Sequence, residues 1–352
     1  SRKLGFSVSQ TMSVAQRLYE SGLITYMRTD SVNLSDLAIA TASAEIKSLF
    51  GDKYLKVRKY ATKSKGAQEA HEAIRPTYIS NRSINGGNQE QRLYELIWKR
   101  TIASQMSDAQ LERTTVKIDV STADEHFVAT GEVLNFDGFL KVYIESTDDE
   151  NEEETAKLLP PLKQNDQLER KIIEAIQKFT MPPARYNEAS LVKKLEELGI
   201  GRPSTYAPTI STIQNREYVI RESREGQQRE ITTLALQKDN VQEKSKKETS
   251  GQEKQKLFPT DIGMVVNDFL EQYFVEIMNY NFTADVEKEF DSIAMGEADW
   301  KEMIGKFYNP FHKKVDETMQ TSEKSKGERV LGTHPESGKP VAVKIGRFGP
   351  MV

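Results

Sequence analysis

The sequence predicts a multidomain α+β chain. Two helical stretches, residues 1–112 and 182–327, flank residues 113–181, where apolar and polar residues alternate as in half-buried strands. At 352 residues the chain is also too long for one small core.

Each element has its own signal. Residues 9–20 carry Met12, Ala15, Gln16 and Tyr19 at near-helical spacing, which predicts a first helix. Residues 34–50 form a second: Ser35 can cap it, and Ala38, Ala40, Ile46 and Leu49 help fill its apolar positions. Residues 89–106 form a third, with Leu93, Leu96, Ile97, Ile102, Ala103 and Met106 as a core stripe. Val116, Ile118 and Val120 then alternate with polar residues. Residues 127–133 and 139–144 continue that pattern, with Asp137-Gly138 as a turn between strands. The acidic run 148–154 reads as a solvated loop, and 168–176 as another strand. Residues 188–198 return to helix, ended by Gly199-Ile200-Gly201, and Pro203 opens the next, to about Arg216. Residues 217–234 read as a small hairpin. Residues 237–256, rich in Lys, Glu, Gln and Ser, read as a disordered insertion. Helix resumes over 260–278 and 284–319. A polar linker, 321–329, precedes a short strand-and-turn module at 330–352.

Composition excludes several function classes. No run approaches the roughly 18 apolar residues that a spanning helix needs, and the first residues have no signal-peptide core. The chain has no cysteine, so it holds neither disulfides nor thiolate metal sites, which fits a cytoplasmic protein. The formal net charge is -4, so any nucleic-acid binding must rest on local charge.

Three segments carry chemistry. The first is Gly22-Leu23-Ile24-Thr25-Tyr26-Met27-Arg28-Thr29-Asp30-Ser31, where polar groups crowd behind two apolar residues. Alone it reads equally as an amphipathic turn, because most buried tyrosines only pack and hydrogen-bond. The second is Gln68-Glu69-Ala70-His71-Glu72-Ala73-Ile74-Arg75-Pro76-Thr77. A zinc helix would need a second histidine four residues after His71, but Arg75 stands there, and a guanidinium cannot ligate a metal. What remains is His71 and Arg75 one turn apart, either two cations suited to a phosphate or a charged helix end. The third runs from Pro182-Pro183-Ala184-Arg185-Tyr186 to Gly199-Ile200-Gly201-Arg202-Pro203-Ser204-Thr205-Tyr206. A glycine turn joins two helices, and the second opens on Arg202, Ser204 and Thr205. Helix N-termini bind phosphate through free N–H groups and the dipole, although the hydroxyls could equally be plain caps.

In order and spacing these three segments resemble the signature segments of the type IA DNA topoisomerases, the family of bacterial DNA topoisomerase I. Residues 258–269 and 278–284 also resemble that family, and the resemblance covers about residues 1–320. The tail, with Gly338-Lys339-Pro340 and Gly346-Arg347-Phe348-Gly349-Pro350, is similar to the cysteine-free repeats found C-terminally in some members.

The resemblance implies a piece of a toroid, with winged-helix-like helical domains and an antiparallel β arch. Residues 1–112 would be the tyrosine-bearing domain and 113–181 part of the arch. Residues 182–327 would be the base domain that binds single-stranded DNA, and 328–352 the start of a C-terminal repeat. It implies ATP-independent breakage, passage and rejoining of single strands through a 5′-phosphotyrosine, relaxing negatively supercoiled DNA. Tyr26 would be the nucleophile, with Arg28 and His71 at the phosphate and Asp30, Glu72 and Arg75 in support. Arg202, Ser204 and Thr205 would bind single-stranded backbone, with Arg185, Lys193 and Arg216 as weaker candidates. The partners would be single-stranded and negatively supercoiled DNA, the chain a monomer, and the setting cytoplasmic, at the nucleoid.

The chain departs from the family in one respect. Full members begin with a Toprim domain whose acidic cluster holds Mg²⁺. Nothing equivalent stands here, so no metal is expected in this chain, and it would neither relax supercoils alone nor bind single strands strongly. It begins without methionine, as an excised piece would. Two readings compete with the enzyme: a non-catalytic module docking as a helix-turn-helix around 199–201, and a purely structural helical protein. No Walker-type Gly-x-x-x-x-Gly-Lys-Ser/Thr supports a helicase-bearing relative.

Overall fold

A computed structural model describes residues 2–60, 72–144, 162–322, 328–346 and 349–351. Three helices come first: α1 (Val8–Glu20), α2 (Asp36–Phe50) and α3 (Asn88–Ser104). Strands β1 (Gln110–Asp119), β2 (His126–Phe136) and β3 (Ile173–Ile176) follow, then α4 (Glu188–Leu198) and α5 (Tyr206–Asn215). Next come β4 (Val219–Arg224), β5 (Gln227–Gln237), β6 (Asn240–Ser250) and β7 (Glu253–Pro259). Helices α6 (Asp261–Tyr273), α7 (Val275–Met278), α8 (Tyr280–Ala294) and α9 (Trp300–Thr321) precede β8 (Glu328–Thr333), β9 (Pro340–Gly346) and β10 (Gly349–Met351). All described strand pairs are antiparallel, in the orders β1-β2, β3-β5-β6, β4-β7 and β10-β9-β8. The multidomain α+β expectation holds.

The main core lies in the first helical unit. Val14, Ala15 and Leu18 of α1 meet Ala38, Ala42 and Ile46 of α2 and Leu93, Tyr94, Trp98 and Ile102 of α3. Ile24 and Met27 of the tyrosine segment join the same cluster. The helices are punctuated as their sequences require. Ser7 accepts from Gln10 N–H and Ser35 from Ala38 N–H, so both first turns have a side-chain cap. Of the positions expected to fill the α2 core face, Ala40 instead faces solvent, because Ile39 and Ala42 take that face.

Several expectations need correction. Residues 237–256 are not disordered: β5 and β6 pair residue by residue from Gln227↔Ser250 to Gln237↔Asn240. Backbone bonds from β5 hold β6, while its side chains stay largely in water, so the strand has no hydrophobic signature. Residues 217–234 are not a hairpin, because β4 pairs with β7 and β5 with β3 and β6. Strand β3 covers only the end of 168–176, and pairs with β5, so one sheet straddles the boundary expected at 181. Residues 139–144 are not a strand. Gly138–Lys141 form a 3-10 turn, with Gly138 at φ +47°. A Cβ on Gly138 would lie 2.5 Å from backbone atoms of Ser107 and Asp108, so the fold-back there requires glycine. The expected helix at 260–278 breaks at Phe274, and α8 ends before Gly296, whose φ is +76°. The acidic run 148–154 and most of the linker 321–329 lie outside the described residues.

Candidate active site

Tyr26 sits in an irregular segment held from both sides. Behind it, α1 ends in a tight reversal: Gly22 N–H donates to Tyr19 O at 2.8 Å and Leu23 N–H to Leu18 O at 2.9 Å. Ile24 then forms an isolated antiparallel bridge with Pro76. Thr25 N–H donates to Arg75 O at 2.9 Å, and Thr77 N–H to Leu23 O at 3.0 Å. The Thr25 hydroxyl accepts from Arg75 N–H at 2.9 Å and donates to Ala73 O at 2.8 Å. The first and second motifs are thus stitched together, far apart in sequence but adjacent in space. Ile24 and Met27 are buried in the core, whereas Tyr26, one of the two residues between them, projects outward at 38% exposure. Its ring meets Tyr19 edge-on, centroids 5.2 Å apart and 65° between planes.

The cations differ sharply in how they are committed. Arg28 is exposed, and among the described residues its guanidinium has no hydrogen-bond or ion-pair partner. Arg75 is spoken for: Nε and Nη2 donate to the two oxygens of Glu72 at 2.7 and 2.8 Å, and Nη1 donates to the carbonyl of Pro76 at 2.9 Å. Glu72 also accepts from Ser35 N–H at 2.8 Å, tying this pair to the start of α2. Burial opposes ionisation of Glu72, but hydrogen bonds from Arg75 and then Ser35 outweigh it and hold its carboxyl below the usual range. His71 lies outside the described residues.

The third motif faces the first across a cleft of about 820 Å³. Met27, Thr29 and Asp30 line one wall, and Gly201, Arg202 and Tyr206 line the other. Helix α5 starts at Tyr206, not at Pro203. The Thr205 hydroxyl accepts from Arg202 N–H at 2.9 Å and donates to Arg202 O at 3.0 Å, closing a turn before the helix. Arg202 reaches Glu287 and Asp291 of α8, both at 3.3 Å, while Ser204 is exposed. Tyr206 has its phenol pushed up by burial, then by the charge of Glu196, with Asp30 and Glu287 adding to it against Arg202. Lys193 and Arg216 are exposed. Arg185 stacks on Phe258, 4.8 Å from the ring centroid, and so packs on the β4-β7 sheet rather than facing the cleft.

Sequence reasoning missed one residue that joins the two halves of the site. Glu188, in the first turn of α4, accepts from Val8 N–H at the start of α1 at 2.8 Å. Gln214 of α5 and Arg221 of β4 donate to its other oxygen, each at 3.2 Å. A glutamate at a helix start reads as a simple dipole partner, and nothing local points to a distant helix. Glu287 and Asp291 were missed too; their four-residue spacing, one face of a helix, was the available signal.

Among the described residues no cluster of three or more His, Asp or Glu side chains is arranged to hold a metal ion, and no helix is long and apolar enough to cross a membrane. The DNA topoisomerase family model matches residues 1–247 and 239–305, and the topoisomerase C-terminal repeat model matches 334–352. The DNA topoisomerase 1 of Xylella fastidiosa strain Temecula1 is 44% identical over the whole chain, which spans 42% of that protein. A prokaryotic-type DNA topoisomerase 1 of Acanthamoeba polyphaga mimivirus is 40% identical, again over the whole chain and 43% of its own length. The solved full-length topoisomerase I of Thermotoga maritima superposes on 99% of the chain and 52% of its own, with a TM-score of 0.71 and 30% identity. A tyrosine segment bridged to a second motif across a cleft from a third, matched by family, relatives and fold alike, shows that the chain belongs to the bacterial-type type IA DNA topoisomerases.

Proposed function

We propose that this chain is the tyrosine-bearing portion of an enzyme that breaks, passes and rejoins single DNA strands without ATP and relaxes negative supercoils. The observation that carries the reading is Tyr26, exposed between the buried Ile24 and Met27 and two residues from Arg28, whose guanidinium has no hydrogen-bond or ion-pair partner among the described residues. In this reading the Tyr26 phenol oxygen attacks a backbone phosphorus. The bond to the 3′ oxygen breaks, that oxygen leaves as a hydroxyl, and the phenol proton is lost. The tyrosyl ester keeps the bond energy, so the hydroxyl later reverses the attack, and one hard step becomes two easier ones. A phenol ordinarily titrates near pH 10, so charge must be supplied where it develops. Arg28 does this, with His71 at the same phosphate.

Arg75 and Glu72 act as the brace of the site, since their charges are spent on each other. Asp30 lies in the cleft wall. Arg202 binds single-stranded backbone there, where a phosphate competes with Glu287 and Asp291 for it, and Ser204 and Thr205 add contacts from the turn beside it. Lys193 and Arg216 add weaker contacts, and Arg185 contributes through packing. Residues 1–112 are the tyrosine domain, and 113–181 with the β5-β6 pair belong to the arch. Residues 182–327 otherwise form the base, and 328–352 open a repeat. The chain spans 42% of the length of the Xylella relative; Mg²⁺, held in the whole enzyme by a Toprim domain, would supply positive charge at the reacting phosphate. The protein works as a monomer at the nucleoid on single-stranded and negatively supercoiled DNA.

The test is plasmid relaxation. The chain alone, with Mg²⁺ and no ATP, should leave a negatively supercoiled plasmid unchanged. The chain fused behind a Toprim domain of the family should relax it, and the same fusion with Tyr26→Phe should not. Relaxation by the chain alone in EDTA, or by the Tyr26→Phe fusion, overturns the proposal.

A further inference from the structure

Tyr19 closes the last turn of α1, a helix fixed at both ends. At its start, Ser7 and Glu188 hold the first turn; at its end, the Gly22 and Leu23 N–H groups bond back to Tyr19 and Leu18. Gly22 takes φ +69°, so the chain reverses and brings Tyr26 over Tyr19. The core contribution of that turn comes from Leu18, at 1% exposure, whereas Tyr19 is 40% exposed. Its ring is therefore not needed to fill the interior. Tyr26 is half in water, and a tyrosine on the surface samples several rotamers unless something blocks them. The Tyr19 ring, standing edge-on at 5.2 Å, blocks one side.

We propose that Tyr19 is a positioning residue: its ring, carried on a helix fixed at both ends, is a wall that favours one orientation of the Tyr26 phenol. The inference rests on the reading of Tyr26 as nucleophile. Orientation matters because a reacting oxygen must be aligned with the bond it displaces. An edge-to-face pair shifts a population by about three- to tenfold, which sets the expected size of the effect. A second role for an exposed aromatic beside the cut, stacking a base, would act on binding instead of on the chemical step.

The experiment has two arms on wild type, Tyr19→Phe and Tyr19→Ala. In the first, the full chain carries 3-fluorotyrosine at position 26 alone, and its fluorine resonance is recorded without DNA or metal. Tyr19→Phe should keep the wild-type position; Tyr19→Ala should move it toward that of an unfolded tyrosine, with the melting temperature little changed. In the second, single-turnover formation of a protein–oligonucleotide adduct is timed in the Toprim fusion, alongside single-strand affinity. Tyr19→Ala should slow the adduct about three- to tenfold with affinity within about twofold, and Tyr19→Phe should restore the rate. An unmoved resonance in Tyr19→Ala overturns the contact whatever the cleavage result. A moved resonance with an unchanged rate, equal losses in Phe and Ala, or a loss confined to affinity overturns the positioning role. No adduct in wild type overturns the reading of Tyr26 and this role with it, while the fluorine arm still reports the contact.

Discussion

Replacing Thr25 by valine keeps the shape of the side chain and removes its hydroxyl. That hydroxyl adds two side-chain bonds, from Arg75 N–H and to Ala73 O, to the backbone bonds that join the tyrosine segment to the second motif. Each net hydrogen bond stabilises by about 1 kcal/mol, and a partly buried partner left unpaired costs more, so the loss should be about 2–3 kcal/mol. The protein has two tryptophans. Trp98 is buried in the core that Ile24 and Met27 join, its indole N–H donating to Ile79 O at 2.8 Å. Trp300 is half exposed, at the start of α9. In a Trp300→Phe background, fluorescence during urea unfolding therefore reports the tyrosine-bearing unit. With a slope of about 1–3 kcal/mol per molar urea, Thr25→Val should lower the midpoint by about 1 M, and Thr25→Ser, which keeps both bonds, by far less. A Thr25→Val midpoint within about 0.3 M of the parent, or a serine variant equally weak, would refute the claim that this hydroxyl fastens the site.

Other consequences follow from the same geometry. The carboxyl of Glu72 is held below its ordinary range in the folded state, so its contribution is full above that ordinary range and lost as pH falls through the lower folded value. Stability of wild type and Glu72→Gln, measured from pH 7 down to 2, should differ most at neutral pH and converge at the acid end; a constant difference contradicts the assignment. Glu188→Ala strips the first turn of α1 of an acceptor, removes the ion-pair partner of Arg221 and leaves Gln214 with only the Ile210 carbonyl, so it should cost about 2 kcal/mol and speed amide exchange at Val8. Protection at Val8 equal to wild type would show that α1 is not tied to α4. Asp291→Asn frees part of Arg202 and should tighten binding to a single-stranded oligonucleotide about two- to tenfold at low salt, read by anisotropy; weaker binding would mean that Asp291 positions Arg202 rather than competing for it.

How much of this was legible in the sequence follows the physics of each part. Helices with apolar stripes were: α1, α2, α3 and α4 stand close to where spacing put them, with Ser35 capping α2 as expected. Strands held mainly by backbone pairing were not. Charged β6 has almost no buried side chain, so composition gives no sign of the ladder that orders it. Pairing across 20 residues and more, as in β4 with β7, leaves no local trace either. In the site, residue types and their order pointed to the chemistry, but commitment did not show. Arg28, Arg75 and Arg202 are alike in sequence. The fold leaves Arg28 uncommitted among the described residues, spends Arg75 on Glu72, and sets Arg202 against two carboxylates.

The central claim is that Tyr26 becomes joined to a 5′-phosphate. The direct measurement mixes the Toprim fusion with a 3′-labelled single-stranded oligonucleotide and Mg²⁺, quenches with denaturant, and maps the label by peptide mass spectrometry. The account predicts a labelled peptide spanning residues 18–28 with the nucleotide mass on Tyr26, absent from Tyr26→Phe. Label on another residue, or intact single-strand binding with no adduct in either protein, would contradict it and favour a module that binds DNA without cutting it.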